Sequence, residues 1–344
     1  MTQNPKPITH NPKLKTQNSQ PKTHNSQLTT KNMNQTTNSI VMIRPVAFRM
    51  NEQTAVNNYY QKVIDGLSPE NVNAKAQSEF DTFVQKLRMV GIDVTVIDDT
   101  LEPSTPDSIF PNNWISFHEN GDVVLYPMFA ENRRLERRED ILDILEAKGF
   151  NINDEIMDYT AAEEDGFYLE GTGSIVLDRE NGKAYCALSP RADEELFIEF
   201  CEDFDMSPII FEAFQTVGSE RKLIYHTNVM MCIGDTFAVI CADCIDDKKE
   251  RKMVLDSLRA DEKEIIVITE AQMNNFAGNM LELLGSDERR YLIMSQSAHQ
   301  SLTKKQIAQL EEHITILSSS LDTIEACGGG SARCMMAEIF LPKN

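Results

Sequence analysis

Five amphipathic segments recur along this chain at nearly constant intervals, and that period restricts the fold more than any other feature. Apolar residues at helical spacing mark 77–90, 136–148, 192–205, 248–259 and 303–313, with starts stepping by 59, 56, 56 and 55 residues. Short β-prone runs follow four of them, at 94–97, 209–214, 265–269 and 314–317, and a weaker, polar-interrupted one follows the second at 150–156. Further strand-like runs lie between units at 122–126, 173–177, 229–241 and 335–341. Helix and strands within every repeat predict an α/β fold built from repeated units. An ordinary α/β sandwich with evenly spaced helices is the competing reading.

Composition narrows what such a fold does. The 344 residues carry 33 Lys+Arg against 54 Asp+Glu, a formal net charge of -21. That balance argues against nucleic acid or an anionic membrane as partner, since both need a positive footprint. No run approaches the ~18 uninterrupted apolar residues of a membrane span. The first residues lack the apolar core of a secretory signal, so a cytoplasmic location is expected. Seven cysteines, an odd and sparse set, read as reduced thiols.

Residues 1–38 stand apart from the repeats. They are almost entirely Asn, Gln, Thr, Ser, Lys, Pro and His, with five lysines and no acidic residue. Such a tract buries too little apolar surface to offset ordering, so it is expected to be a disordered low-complexity tail before a catalytic domain at 39–344.

Loops at strand ends carry function in repeat folds of this kind, and four of them hold polar residues that packing does not explain. Gly328-Gly329-Gly330 precedes Cys334, which opens the run 335–341. The glycines permit close approach of a ligand, and a thiol in that position suits a nucleophile; a buried structural thiol is the alternative. His226 stands at the mouth of the run 229–241, beside Asn228, where a general acid/base would sit. His118 and His299 are weaker candidates. Glu170 precedes Gly171-Thr172-Gly173, and a carboxylate there can orient a histidine or hold an NH-rich substrate. The fourth loop, 105–114, brings Asp107, Asn112, Asn113 and the single tryptophan, Trp114; its asparagines offer both donor and acceptor to an amide-like group, or form an ordinary turn. Cys241 and Cys244 have Cys-x-x-Cys spacing without a second ligand pair, so no metal is expected.

The order Asn112-Asn113, Glu170-Gly171-x-Gly173, His226-x-Asn228 and Gly328-Gly329-Gly330 before Cys334 resembles the guanidino-group-modifying, or pentein, superfamily. The openings Met42-Ile43-Arg44-Pro45 and Asn57-Asn58, with 110–114, are similar to the bacterial citrulline-utilization hydrolases, often labelled arginine deiminase-related or amidinotransferase-like. The resemblance covers about residues 39–344. It implies a five-bladed α/β propeller around a central active site, with Cys334 as nucleophile, His226 as general acid/base and Glu170 as its acidic companion. It implies no cofactor and a small amino-acid substrate as partner, with a homo-oligomer left open.

Two departures point to the substrate. Arginine-processing relatives have aspartates where this chain has Asn113 and Asn228, and a guanidinium calls for carboxylates. A neutral ureido group presents a carbonyl acceptor, which an asparagine can serve. The expected reaction is therefore hydrolysis of citrulline to ornithine, CO2 and ammonia. Its expected course begins from a Cys334 thiolate stabilised by protonated His226 and passes through an S-carbamoyl enzyme. Arg191 is expected to hold the substrate α-carboxylate, with Arg133 and Arg44 behind it, and Asp107 to bind the α-amine or the distal NH2. The alternatives are an arginine deiminase, a dimethylarginine hydrolase or an amidinotransferase of the same fold. A non-catalytic propeller, like the ribosome anti-association factors that share the fold, is disfavoured by the intact Cys, His and Glu set.

Overall fold

The structure, a computed structural model, describes residues 33–344, so the expected tail lies outside the described residues as far as 32. The boundary expected at 38 is corrected. Residues 33–38 are tied to the body: Gln35 Nε2 donates to Leu177 O at 3.0 Å and Ile233 O at 3.2 Å, and Thr37 Oγ1 to Ile339 O at 2.7 Å.

One supersecondary unit occurs five times among the described residues: an antiparallel strand pair, then a helical crossover into a third strand parallel to the second. Ile115–Phe117 and Val123–Leu125 pair antiparallel, and Asp140–Ala147 leads to the short parallel strand Met157–Asp158. Ile175–Asp178, Lys183–Ala187 and Ser207–Phe211 repeat this around Glu194–Asp203. Met231–Ile233, Phe237–Ile240 and Glu264–Val267 do so around Lys248–Ala260, and Leu281–Leu284, Arg290–Ser295 and Thr315–Ser319 around Lys304–His313. The last unit joins distant parts of the chain. Ala337–Glu338 pairs antiparallel with Ser39–Arg44, which runs parallel to Asp93–Asp98 after the helix Pro69–Met89. A further hairpin, Phe214–Val217 with Glu220–Leu223, stands outside this scheme.

Local chemistry accounts for the helices. In Pro69–Met89, Val72, Ala76, Phe80, Phe83, Val84 and Leu87 form one buried stripe, and Ser68 caps its N-terminus with Pro69 at the first position. Asp193 and Asp247 cap two others, and Thr303 with Gln306 forms a capping box. The strands differ from their expected extents where polar or glycine residues interrupt them. The run 335–341 holds only the strand Ala337–Glu338, and 229–241 splits into two strands around Gly234-Asp235. No helix among the described residues is long and apolar enough to cross a membrane.

This repeat positions the site. The first strand of each unit is entered through a short turn: Pro111–Asn113, Gly171–Ser174, Thr227–Val229, the segment ending at Asn279 before Leu281–Leu284, and Ala332–Met335. All the residues of these turns are buried.

Candidate active site

The entry turns converge on one cleft of about 240 Å³, lined by Asp107, Asn113, Arg133, Arg191, Tyr225, His226, the three glycines 328–330 and Cys334, together with Asn58 and Phe110. Cys334 lies in the 3-10 turn Ala332–Met335 rather than at the head of a strand, which corrects its expected placement. Of the three glycines, Gly329 alone takes a left-handed backbone (φ +61°), as the C-cap of the helix Asp322–Gly328.

His226 and Glu170 form a buried pair, Nε2 to Oε2 at 2.7 Å. Burial alone would raise the Glu170 carboxyl, but Arg191, His226 and Arg133 around it hold it at about 2. Burial drives His226 down to about 4, and Arg191 and Arg133 push the same way against the pull of Glu170. The imidazole is therefore neutral near pH 7. The expected resting imidazolium is corrected on that ground: too little water and two guanidinium groups disfavour a second proton. With Nε2 turned to Glu170, Nδ1 is the ring nitrogen left for chemistry, and it faces Gly173, where a Cβ would lie 2.8 Å from it.

The sulfur of Cys334 is surrounded by amides. Asn228 Nδ2 lies 3.6 Å from Sγ and Asn228 Oδ1 3.8 Å, while Asn279 Nδ2 donates to Sγ at 3.2 Å. Asn279 also accepts from the backbone N–H of Arg333 at 3.0 Å and of Cys334 at 3.4 Å. It is fully buried and was not among the expected site residues. The missed signal is the period itself, since Asn279 sits at the entry of the fourth unit, the one entry without a candidate.

Asn113 is fixed by Arg133, whose Nη1 donates to Asn113 Oδ1 at 2.8 Å. Its Nδ2 is buried without a hydrogen-bond partner. Asp107 accepts at Oδ2 from Asn51 at 2.8 Å and Thr54 at 2.9 Å, and its Oδ1 is likewise buried and unpartnered. Burial raises the Asp107 carboxyl in spite of the arginines nearby. Gly171 (φ +43°) leaves no room for a side chain, since a Cβ would lie 2.5 Å from Asn112 O. The first loop and the Glu170 loop thus pack backbone to backbone.

Arg191 reaches the cleft, but its donors are engaged. Nε donates to Asn57 Oδ1 at 2.9 Å, Nη2 to Asn57 Oδ1 and to Thr54 O at 2.9 Å, and Nη1 to Glu170 Oε2 at 3.4 Å. The expected α-carboxylate clamp is corrected accordingly: one N–H of five is left, and the side chain braces Glu170. Arg133 is held in a bidentate pair with Glu136, both bonds 2.9 Å, and donates to Phe110 O at 3.0 Å. Arg44 lies outside the cleft lining, paired with Asp81 at 2.8 Å. His118 is packed on Phe204, ring centroids 4.2 Å apart, and bonds Ser116 at 2.8 Å; His299 bonds Ser318 at 3.2 Å. Neither lines the cleft. Cys241 and Cys244 touch at 2.9 Å between sulfurs, buried against Met273.

The chain as a whole is similar to known proteins. Residues 44–341 match the family model described as N,N dimethylarginine dimethylhydrolase, eukaryotic. Among solved structures, the chain is similar to ArgZ, an arginine dihydrolase from the ornithine–ammonia cycle in Cyanobacteria (TM-score 0.67, 16% identity). It covers 89% of this chain and only 41% of that one. The isolated N-terminal domain of ArgZ, as a cysteine-to-serine mutant bound to substrate, gives TM-score 0.65 and 17% identity over 88% of this chain and 99% of that one. A dimethylarginine dimethylaminohydrolase from Pseudomonas aeruginosa, again a cysteine-to-serine mutant and complexed with citrulline, gives 0.59 and 14% over 88% and 100%. No curated protein sequence matches the chain.

Proposed function

The chain belongs to the eukaryotic-type N,N-dimethylarginine dimethylhydrolase family, within the pentein guanidino-modifying superfamily, and from that premise we propose that it is a cysteine-dependent hydrolase of the citrulline ureido group. One observation carries the choice of substrate. Arg133 occupies the acceptor side of the Asn113 amide, so the unpartnered Nδ2 offers the cleft a donor. A ureido carbonyl accepts from that donor, whereas a guanidinium, which has only donors, would leave it unsatisfied. We read the five units as the blades of a propeller whose entry turns meet at its centre.

In this mechanism His226 is the base. As Cys334 Sγ attacks the ureido carbon, its proton passes to the neutral His226, and the sulfur's developing charge is met by the Asn279 and Asn228 amides. Asn113 Nδ2 stabilises the tetrahedral oxyanion. The carbonyl then re-forms, the C–N bond to ornithine breaks, and His226 returns the proton to the leaving amine. Water, deprotonated by His226, hydrolyses the S-carbamoyl enzyme to carbamate and free thiol, and carbamate decomposes to CO2 and ammonia. Glu170 orients the imidazole and balances its transient charge, with Arg191 and Arg133 bracing Glu170. Asp107 Oδ1 accepts from the substrate's α-ammonium or its distal NH2. Cysteine variants being the substrate- and citrulline-bound forms of two neighbours supports the role given to Cys334.

The unpartnered Asp107 Oδ1 also favours a second reading, a guanidino substrate such as arginine. Ornithine and ammonia release from citrulline and from arginine, with wild type and Cys334→Ala, decides between them. Turnover of citrulline alone, lost in the variant, is the expected result. Turnover of arginine alone would replace the ureido reading with the guanidino one.

A further inference from the structure

Asn228, whose amide lies against Cys334, also lines a second cavity, together with Arg179, Arg333, Glu282, Glu338 and Gln35. Its free volume is about 30 Å³. By the measure on which one water needs ~10–15 Å³, that is room for a small anion.

The charges around it are unequally matched. Arg333 donates to Met336 O at 2.9 Å and Glu338 Oε2 at 2.7 Å. Glu282 Oε2 accepts from the Asp235 backbone at 2.8 Å, while its Oε1 is buried and unpartnered, with Arg290 Nη1 at 3.6 Å. Arg179 is the exception. It is 4% exposed and lies over the Phe340 ring at 4.0 Å, and its guanidinium has no acceptor or ion-pair partner among the described residues. Its backbone N–H is tied to Gln35 Oε1 at 2.7 Å, which sets Gln35 at the cavity wall. Glu338, already engaged by Arg333, is the main opposite charge for Arg179, whose N–H donors are left without an acceptor among the described residues; an anion in the adjoining cavity would accept from them.

We propose that this cavity binds a small planar oxyanion of the bicarbonate or carbamate class, held bidentately by Arg179. The planar fork of an arginine matches a planar oxyanion better than a spherical ion. Its identity as the one-carbon product of the reaction rests on the ureido-hydrolase reading; the anion site does not. The Asn228 side chain stands between this cavity and the sulfur from which that product leaves.

The test is a titration of 13C-labelled bicarbonate into full-length Cys334→Ala protein, read as line broadening, with chloride as competitor. Saturable binding is expected, weakened at least tenfold by Arg179→Gln in the same background. Should that variant not fold, Glu282→Gln gives the opposite readout, tighter binding, because it removes a negative group from the wall. Equal binding with and without Arg179, or no tightening in Glu282→Gln, would overturn the site; displacement by equimolar chloride would overturn the oxyanion assignment. Citrulline turnover by wild type separates the two proposals. Turnover without bicarbonate binding sinks the anion site alone, and binding without turnover sinks the hydrolase reading and its product assignment.

Discussion

Arg133 Nη1 and Asn113 Oδ1 lie 2.8 Å apart, and this bond decides which end of the Asn113 amide the substrate meets. The Asn113 amide is left with only its donor end free by a neighbour twenty positions away.

Asn113→Asp is the direct test. An acid there keeps the bond to Arg133 but presents an oxygen where Nδ2 was. Loss of one oxyanion donor costs about 10²–10³ in rate, so kcat/KM for citrulline should fall by that order while the arginine-to-citrulline ratio rises. An unchanged ratio would remove Asn113 from substrate selection.

Asn279→Ala should lower kcat by about tenfold or more with KM little altered, because the amide donates to Sγ and not to substrate. A readout closer to the sulfur than turnover is the rate of Cys334 alkylation. The rate of alkylation at one fixed pH should fall, since the Asn279 amide no longer meets charge on the sulfur.

Glu170→Gln breaks a buried cluster by removing the carboxylate that Arg133, Arg191 and His226 share. Removing one partner of such a cluster costs about 3–5 kcal/mol. Denaturant melts should show that loss together with a fall in kcat. A stable, inactive Glu170→Gln would mean that Arg191 and His226 do not depend on this carboxylate for stability.

The acid limb of stability follows from the same pair. Below about pH 6.5 the unfolded chain protonates His226, while the folded chain does not until about 4. Glu170 adds uptake by the unfolded chain between 4.5 and about 2. The unfolded state thus binds more protons across both windows, so stability falls as pH is lowered from 6.5 to 2. His226→Gln should flatten the upper part of that profile, between 6.5 and 4, in urea melts at fixed pH.

Gly173→Ala should abolish activity by steric means. The added Cβ would lie 2.3 Å from Asn113 Nδ2 and 2.8 Å from His226 Nδ1. Gly166→Ala is the control, with a left-handed backbone and nothing within 4 Å of its Cβ. It should lose stability without losing turnover.

Much of this was legible in the sequence because the repeat writes itself in helix spacing. The helices at 248–259 and 303–313 are found as Lys248–Ala260 and Lys304–His313. The first begins eight residues before its expected start, at Pro69, since Ser68 and Pro69 start a helix ahead of its clearest periodicity. Missed strands such as Lys183–Ala187 and Leu281–Leu284 are too short to show a period of two. Cys334, His226, Glu170, Asn113 and Asp107 were visible as polar residues at strand mouths and Arg191 as a carboxylate-binding type, and all but Glu170, which bonds His226, line the cleft. The role expected for Arg191 was not legible, because residue type shows what a guanidinium can bind and not that Asn57, Thr54 and Glu170 already occupy it. Asn279 escaped because nothing beside it looks unusual, and only its register in the repeat marks it.

The strand Ala337–Glu338 pairs with Ser39–Arg44 only after nearly three hundred residues have intervened. During synthesis the first strand therefore waits with one edge open until the fifth unit emerges, and Cys334, three residues ahead of that closing strand, is among the last site residues to arrive. On the proposed hydrolase reading a nascent chain cannot run the reaction early: the thiol is delivered by the same segment that completes the fifth unit, so assembly and activation are one event.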